Sequence, residues 1–391
     1  STRKESSAAS DVYKRQIVGT ALSIFLIMLV VMMQQVKVAP FSPESNRNRF
    51  LHVHYMSISH KDWGNGTSNG PMSVQTAREV YKSLKTPEAV TVYCCMTVST
   101  PVSLPGAPAI GADVRETDDT FFHVFDFQFT DGKPYDEATF TAGRPVAVIT
   151  ESISRALFGS IQSVGKEFLL SHAPYRVVGV VKDVSTLADM AYGQVWIPFT
   201  STNLSNDTWS DNHMGMMSVT LLAHDREDFD EIRAEAKRRM NEYNSILADQ
   251  GYTLIDRNRP YDQETQSISF AANLEPDLKA ARRERVIIFI ILLLVPAINL
   301  SSMTQSRLRQ RVAEIGVRRA FGSTRIEMVG QIVMENLVIT LLAGAIGLLI
   351  SILFAYWGTD ILFAQPYSVT LNAPTVDSRI LFQPSTFLLS L

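Results

Sequence analysis

One glycine-rich stretch of this sequence has residue types that could hold a phosphate group. Residues 159–167 read GSIQSVGKE, with glycines and a lysine in the order of a phosphate-binding loop. Five residues rather than four separate the two glycines, however, and Glu167 stands where a Ser or Thr would bind magnesium. We therefore predict no nucleotide site in this chain, and ATP hydrolysis would need an ATPase outside it, for which a separate protein is the simpler interpretation and a domain fused upstream is the alternative.

Two residue pairs could bind a metal or form a disulfide. His52 and His54 alternate along a predicted strand and could share a metal ion, but no Cys or carboxylate at suitable spacing completes a ligand set. Cys94 and Cys95 are neighbours in the chain, and a disulfide between neighbours is strained. A plain strand and two small buried residues are the favoured interpretations, so the sequence predicts no metal centre and no catalytic residue.

Basic residues gather in residues 304–327, where a docking surface could form. Side chains recur there every three to four residues, so a short helix would present a basic ridge. The positions are Arg307, Arg311, Ile315 and Arg318. Gly316 and Gly322 would permit a close turn or close packing. Such a ridge suits a protein groove lined by carboxylates, which Arg pairs in a bidentate manner. Attraction to anionic lipid head groups is the alternative.

The elements that must position these residues include three apolar blocks, each long enough to cross a bilayer core of about 30 Å. They predict transmembrane helices at residues 17–36, 286–303 and 328–357, and residues 386–391 predict the start of a truncated fourth. The first block could instead be a signal peptide, but its apolar run is long and no A-x-A site follows, which favours an uncleaved anchor. Residues 1–16 are expected to be a foreign leader.

The distribution of Lys and Arg predicts the orientation of these helices. Residues 304–327 hold six arginines whereas residues 358–385 hold one, which places the first segment in the cytoplasm and the second outside. A basic cluster at residues 279–285 opposes this orientation, and we interpret it as a helix that continues out of the membrane at head-group level. Residues 38–284 then form an extracytoplasmic domain, whose apolar runs predict mixed α and β structure.

Small residues recur at four-residue spacing in the predicted spans, which favours close helix packing in lipid. They are Gly19 and Ser23 in the first span, and Ala343, Gly347 and Ser351 in the third. Packing within the subunit is the favoured interpretation, and dimerisation is the alternative. Glu335, near the cytoplasmic end of the third span, could meet Arg325 or a partner protein; a proton relay is a further alternative.

The overall composition excludes two classes of protein. Apolar residues make up 46% of the 391 residues and charged residues 19%, so the chain is not intrinsically disordered. The net charge of −3 is unlike the basic balance of a nucleic-acid binder, so no nucleic-acid partner is predicted.

The clearest helical pattern of the predicted outer domain covers residues 228–247. Its apolar residues recur at helical spacing and form a single stripe. The stripe comprises Phe229, Ile232, Ala236, Met240, Tyr243 and Leu247.

Several motifs together resemble the FtsX-like, or MacB-type, ABC transporter permeases. Residues 306–336, SRLRQRVAEIGVRRAFGSTRIEMVGQIVMEN, resemble the family's basic turn and the helix that carries a Glu into the next span. Four segments resemble its extracytoplasmic core domain, in the same order: VRETDDTFFHVFDFQFTDGKP at 114–134, VAVITESISRALFG at 146–159, VGKEF at 164–168 and YRVVGVVKDV at 175–184. The resemblance covers about residues 17–380.

This resemblance implies an α+β membrane protein. Its helical transmembrane bundle would have three complete spans and a truncated fourth, and its mixed α/β extracytoplasmic domain would have two lobes. A porter-like lobe would comprise about residues 40–118 and 207–268, and a strand-rich inserted lobe about residues 119–206.

The resemblance also implies a permease subunit of the bacterial inner membrane that transmits motion rather than forming a pore. Its partners would be a cytoplasmic ABC ATPase that binds ATP and Mg²⁺, a second permease in a homodimer or heterodimer, membrane lipid and a periplasmic adaptor. No cofactor is implied for this chain. The implied ATPase-coupling residues are Arg307, Arg311, Glu314, Gly316, Arg318, Arg319, Gly322 and Arg325.

Two other functions remain open on these residues. The same fold could serve a membrane-anchored signalling subunit or a regulator of a cell-wall hydrolase. A structural anchor without an ATPase partner is the second of these alternatives.

Overall fold

The computed structural model describes residues 2–357, which form two compact units. The first, termed the helical unit, contains residues 2–36 and 279–357, and the second, termed the mixed unit, contains residues 37–278. The predicted loop at 358–385 and the predicted start of a fourth span at 386–391 lie outside the described residues.

The helices have the following bounds in chain order. They are α1 (Thr2–Val38), α2 (Val74–Thr76), α3 (Phe121–Val124), α4 (Glu137–Thr141), α5 (Glu151–Phe158), α6 (Phe229–Leu247), α7 (Gln263–Gln266), α8 (Leu278–Gln310), α9 (Val312–Ala320) and α10 (Arg325–Trp357). A π-helical segment, Ala77–Lys82, continues α2.

The strands of the described residues lie in the mixed unit. They are β1 (Phe50–Val53), β2 (Met56–His60), β3 (Thr67–Gly70), β4 (Ala89–Cys94), β5 (Val98–Ser103), β6 (Ile110–Thr117), β7 (Phe129–Gly132), β8 (Val146–Thr150), β9 (Glu167–Leu170), β10 (Ala173–Val181), β11 (Val195–Pro198), β12 (Met217–Leu222), β13 (Tyr252–Ile255) and β14 (Tyr261–Asp262).

Two stretches within residues 2–357 are long and apolar enough to cross a membrane. Ile17–Val38, in α1, has a mean hydropathy of 2.4, and Arg325–Ala355, in α10, has one of 2.7. The first contains the predicted span at 17–36, and the second covers residues 328–355 of the predicted span at 328–357. The predicted second span, at 286–303, lies within α8, which is helical throughout; that α8 crosses the membrane stays a prediction.

Six strands of the mixed unit close into a small barrel. The order β6–β5–β9–β10–β8–β11 returns to its start, because β11 pairs antiparallel with β8 and parallel with β6. The inward side chains form a buried apolar core with members on all six strands, such as Val102, Val114, Ile149, Phe168, Val177 and Ile197. Val102, Ala112 and Val114 precede residue 119, so strands before the predicted inserted lobe also build this barrel.

Strands β1, β2, β4, β12 and β13 pack with α6 in a second core, and β7 pairs with β10 of the barrel. The large sheet continues from β6 through β4, β12 and β1 to β14, and a separate sheet has the order β13–β2–β3. All six residues of the predicted stripe on α6 are buried in this core, together with residues of β2, β4 and β12. The mixed α and β character predicted for residues 38–284 is therefore confirmed.

Candidate functional site

The predicted coupling segment folds as a short helix between two breaks. The chain leaves helical geometry at Arg311, where φ is −99° and ψ is 10°, so α8 ends and α9 begins. After α9, Gly322 takes φ +98°, which favours glycine, and its amide donates to the Arg319 carbonyl at 3.1 Å. Thr324 and Glu327 then cap α10 reciprocally, with distances of 2.9 and 3.3 Å. Arg307 thus lies in α8, on the other side of a break from α9.

Two of the predicted coupling arginines are bound within the helical unit. Arg311 Nη1 lies 2.8 Å from Glu335 Oε2. Arg318 Nη2 lies 2.6 Å from Glu314 Oε1, and its Nη1 donates to Gln331 Oε1 at 2.8 Å. These contacts fasten α9 and its leading turn to α10. Glu335 therefore meets Arg311 and not Arg325, which the sequence analysis considered as a partner.

Other residues of the segment face outward. Arg319 and Arg325 are exposed, and the structure gives neither an ion pair within residues 2–357. A side chain added at Gly316 would meet no atom within 4 Å, so this glycine is open rather than packed. Beside them, Phe321 is 88% exposed and Ile326 is 85% exposed.

Sequence reasoning did not single out Phe321 and Ile326. The available signal was the placement of a Phe directly after a basic helix and directly before a glycine at a turn. An apolar side chain at such a turn has no core to enter, so its exposure marks a surface that a partner or a membrane would cover.

The small residues of the two spans differ in what they contact. An added Cβ at Gly347 would lie 2.7 Å from the Ala21 carbonyl oxygen, so α1 and α10 approach closely there. Ala343 and Ser351 are fully buried, and Ser351 Oγ donates to the Gly347 carbonyl at 2.8 Å. Gly19, in contrast, has open space around its Cα. The spacing thus places a close helix contact at Gly347 within the helical unit, but none at Gly19.

The two histidines of the predicted pair form hydrogen bonds with different residues. His52 is buried, with Nδ1 3.1 Å from Thr220 Oγ1 and Nε2 2.9 Å from Gln263 Oε1. Burial lowers the pKa of His52 to about 4. His54 instead meets Ser218, at 3.3 Å. Within the described part of the chain, no group of three or more His, Cys, Asp or Glu is arranged to hold a metal ion.

The glycine-rich stretch at residues 159–167 is a helix end. Gly159 takes φ +70° and ends α5, with its amide donating to the Arg155 carbonyl at 2.9 Å. The strand β9 follows it. A phosphate-binding loop instead leads into a helix, whose first amides hold the anion, and that arrangement is not formed by this stretch.

A buried ion pair fastens the chain that follows α1 to the loop between β10 and β11. Arg47 Nε lies 2.6 Å from Glu44 Oε2, and the two side chains are 3% and 1% exposed. Glu44 Oε1 accepts from the amides of Met190 and Ala191, at 2.9 and 3.0 Å. Arg47 also donates to the Leu187 carbonyl at 2.8 Å. We term this pair the clasp; its sequence signal was only an acid and a base three residues apart.

Comparisons with known proteins place the chain in a family. The model of the MacB-like periplasmic core domain matches residues 17–239, and the model of the FtsX-like permease C-terminal region matches residues 286–391. The chain therefore belongs to the FtsX/MacB-type ABC permeases, as the motifs predicted. Membership makes it a membrane protein with an extracytoplasmic domain, which is the mixed unit.

Curated relatives are similar over about two thirds of this chain. The uncharacterized ABC transporter permease YknZ of Bacillus subtilis is 22% identical over 244 residues, which cover 61% of this chain and 55% of that protein. The macrolide export ATP-binding/permease protein MacB of Burkholderia pseudomallei is 24% identical over 274 residues, or 70% and 39%. The chain thus spans about half or less of the length of these relatives.

Solved structures show weaker likeness. The periplasmic region of MacB from Actinobacillus actinomycetemcomitans is 19% identical, with a TM-score of 0.36, over 52% of this chain and 88% of that one. The extracellular domain of the noncanonic ABC-type transporter YknZ from Gram-positive bacteria is 14% identical, with a TM-score of 0.37, over 51% and 99%.

Proposed function

We propose that this chain is a permease subunit that couples ATP hydrolysis by an ABC ATPase to movement of its extracytoplasmic domain, for export or extraction of a substrate. The ATPase would bind ATP and Mg²⁺ and would dock on α9 and the turn that follows it. The permease would work as a homodimer or heterodimer in the inner membrane, with a periplasmic adaptor as a further partner. The proposal includes three spans, the start of a fourth at residues 386–391, and a cytoplasmic location for residues 304–327.

The observation that carries the docking proposal is a pair of exposed side chains, Arg319 in the last turn of α9 and Phe321 directly after that helix. Phe321 is 88% exposed, and Arg319 is a guanidinium without an ion pair in the described chain. An apolar ring beside a cation suits a protein groove that is apolar at its centre and acidic at its rim, because aromatic and Arg side chains carry most of the binding free energy at interfaces. The open surface at Gly316 would let a partner approach the helix backbone.

The bound arginines have a supporting role in this proposal. Arg311 and Arg318 hold α9 and its leading turn against α10 through Glu335 and Gln331, and Glu314 of α9 pairs with Arg318. A push on α9 would therefore reach α10 through charge-assisted hydrogen bonds rather than through a loose loop. On the extracytoplasmic side, the clasp would carry motion of the chain after α1 into the barrel.

Co-purification from native membranes tests the docking step. Full-length Arg319→Glu and Phe321→Ser variants are expected to recover the ATPase at least about tenfold less well, because interface anchors of this kind cost about 2 kcal/mol or more. Arg238→Glu is the matched control, since Arg238 is exposed on α6 in the extracytoplasmic domain. The ATPase is identified by mass spectrometry of the eluate.

The same preparation separates ATPase docking from the lipid alternative. Loss of ATPase with an unchanged membrane fraction supports docking. Unchanged ATPase recovery in both variants contradicts it and leaves attraction to anionic lipid as the alternative.

A further inference from the structure

The mouth of the six-stranded barrel is a cavity that the coupling proposal does not use. It has a volume of about 340 Å³ and lies where β5, β6 and β11 meet the turn between β9 and β10. Met96 and Val98 at its rim are 50% and 55% exposed, so the cavity reaches solvent. Small-molecule pockets occupy about 300–1,000 Å³ and often lie at barrel mouths.

The wall of this cavity is largely apolar. Val98 of β5 lies opposite Val114 of β6, and Ile197 of β11 pairs with Glu116 of β6. Leu170, at the end of β9, completes the apolar wall. Because side chains alternate along a strand, Ala112, Val114 and Glu116 all point into the barrel. The inward row of β6 thus begins with two core residues and ends at the mouth with a carboxyl group.

Glu116 has little in the described chain to balance its charge. Its one described partner is the Thr202 hydroxyl, which donates to Oε2. Burial raises the pKa of Glu116 to about 7. The nearest arginine in sequence, Arg115, points to the other face of β6, where its three donors bind the carbonyls of Tyr192, Cys94 and Asp189.

We propose that the barrel mouth binds a small apolar amine, whose body fills the cavity and whose ammonium group pairs with Glu116. An apolar body would cover Val98, which is 55% exposed, and would contact Val114 and Ile197, which line the cavity and are buried. An ammonium group would supply the cation that this inward carboxylate lacks, in a charge-assisted hydrogen bond. The volume of about 340 Å³ limits the ligand to a small molecule. The site is independent of ATPase coupling and can be tested without any ATPase.

Three other titratable groups act on Glu116 or share its cavity. The Cys94 thiol and the Tyr175 hydroxyl line the mouth. The Glu116 charge is one of the causes that raise the pKa of Tyr135. Burial raises the pKa of both tyrosines, so they stay neutral near pH 7. The Cys95 hydrogen bond lowers the pKa of Cys94, so its thiolate could also attract a cation. A Cys94→Ser variant separates these two anions.

Phenylethylamine is a suitable probe, with phenylethanol as its neutral counterpart. Both dissolve in water, so binding to the full chain in detergent can be followed by saturation-transfer NMR against empty micelles. The amine is expected to bind about tenfold more tightly than the alcohol at pH 8, because hydrogen bonds to charged groups are stronger. The advantage should shrink as the pH falls through 7, because the carboxylate that pairs with the ammonium becomes protonated.

Four variants locate the site. Glu116→Gln is expected to remove the advantage of the amine, whereas Glu137→Gln on exposed α4 and Cys94→Ser are expected to keep it. Ala173→Phe fills the mouth from an exposed position and should abolish binding of both probes, even if Glu116→Gln proves unstable. The proposal is overturned if the amine does not bind the wild-type chain, if Glu116→Gln keeps the preference, or if Ala173→Phe binds as the wild type does.

Discussion

Arg47 and Glu44 form an ion pair that is almost fully removed from solvent. Arg47 Nε lies 2.6 Å from Glu44 Oε2, and the guanidinium also lies over the Phe41 ring, 4.2 Å from its centroid. The remaining oxygen of Glu44 accepts from two amides of the loop before β11. The bonds from these amides thus join the chain after α1 to a distant loop. Removing either partner of the ion pair would leave a buried charge uncompensated.

The clasp should be costly to break. Arg47→Ala or Glu44→Gln is expected to lower the free energy of unfolding of the extracytoplasmic domain by about 3–5 kcal/mol, the usual cost of removing one partner of a buried ion pair. Denaturant unfolding followed by tryptophan fluorescence measures this. Arg239→Ala is the control, because the Arg239 and Glu242 side chains are 38% and 64% exposed, and loss of a surface pair of this kind should cost under about 1 kcal/mol. Equal effects of the two variants would contradict the inferred role of the clasp.

The buried His52 should make the domain sensitive to acid. Its folded pKa of about 4 lies below the unfolded value of 6.5, so the unfolded state takes up the proton first as the pH falls. The stability that the neutral His52 contributes is therefore fully present above pH 6.5. It decreases as the pH falls to about 4, by roughly 3 kcal/mol at most. His52→Asn should remove this part of the acid sensitivity in denaturant midpoints measured between pH 7.5 and 4.5. His172→Asn, at an exposed histidine, should leave it unchanged.

Gly347 and Gly19 should respond to the same substitution with opposite signs. Gly347→Ala would place a Cβ 2.7 Å from the Ala21 carbonyl oxygen, so α1 and α10 must separate, at a cost of about 1–3 kcal/mol. Gly19→Ala meets no atom within 4 Å and should gain up to about 1 kcal/mol from helix propensity. Thermal unfolding in detergent compares the two. A destabilised Gly19→Ala variant would show that the small-residue spacing, rather than the contact at Gly347, is what matters.

The sequence pattern predicted the elements that depend on residues close together in the chain. The α6 stripe from Phe229 to Leu247 is buried as its helical spacing predicted, because one apolar face must enter a core. The break at Gly322 and the short α9 also follow from local signals, a glycine at a turn and a basic amphipathic stretch. The family itself was recognised from linear motifs and is confirmed by the two matching models.

Distant pairings were beyond the same reasoning. The barrel closes only because β11 pairs in parallel with β6, about eighty residues earlier in the chain. The residues of neither strand identify the other as its partner. The clasp likewise joins Glu44 to amides near residue 190. Spacing could not distinguish Gly347 from Gly19 either, because the difference depends on which residue of α1 lies opposite. The inward carboxyl of Glu116 becomes visible only once the barrel is known.

Arg318 could act by positioning α9 or by contacting the ATPase directly, and variants of Arg318 and Glu314 distinguish these two roles. Its guanidinium bonds to Glu314 and Gln331, so Arg318→Ala should weaken ATPase recovery indirectly, by loosening α9 from α10. Glu314→Ala should then cause a similar loss, and the double variant should be little worse than either single one, because residues of one network are not additive. Co-purification and thermal unfolding are measured together. If Arg318→Ala lowers recovery without changing the thermal stability and Glu314→Ala has no effect, Arg318 contacts the ATPase itself, as Arg319 is proposed to do.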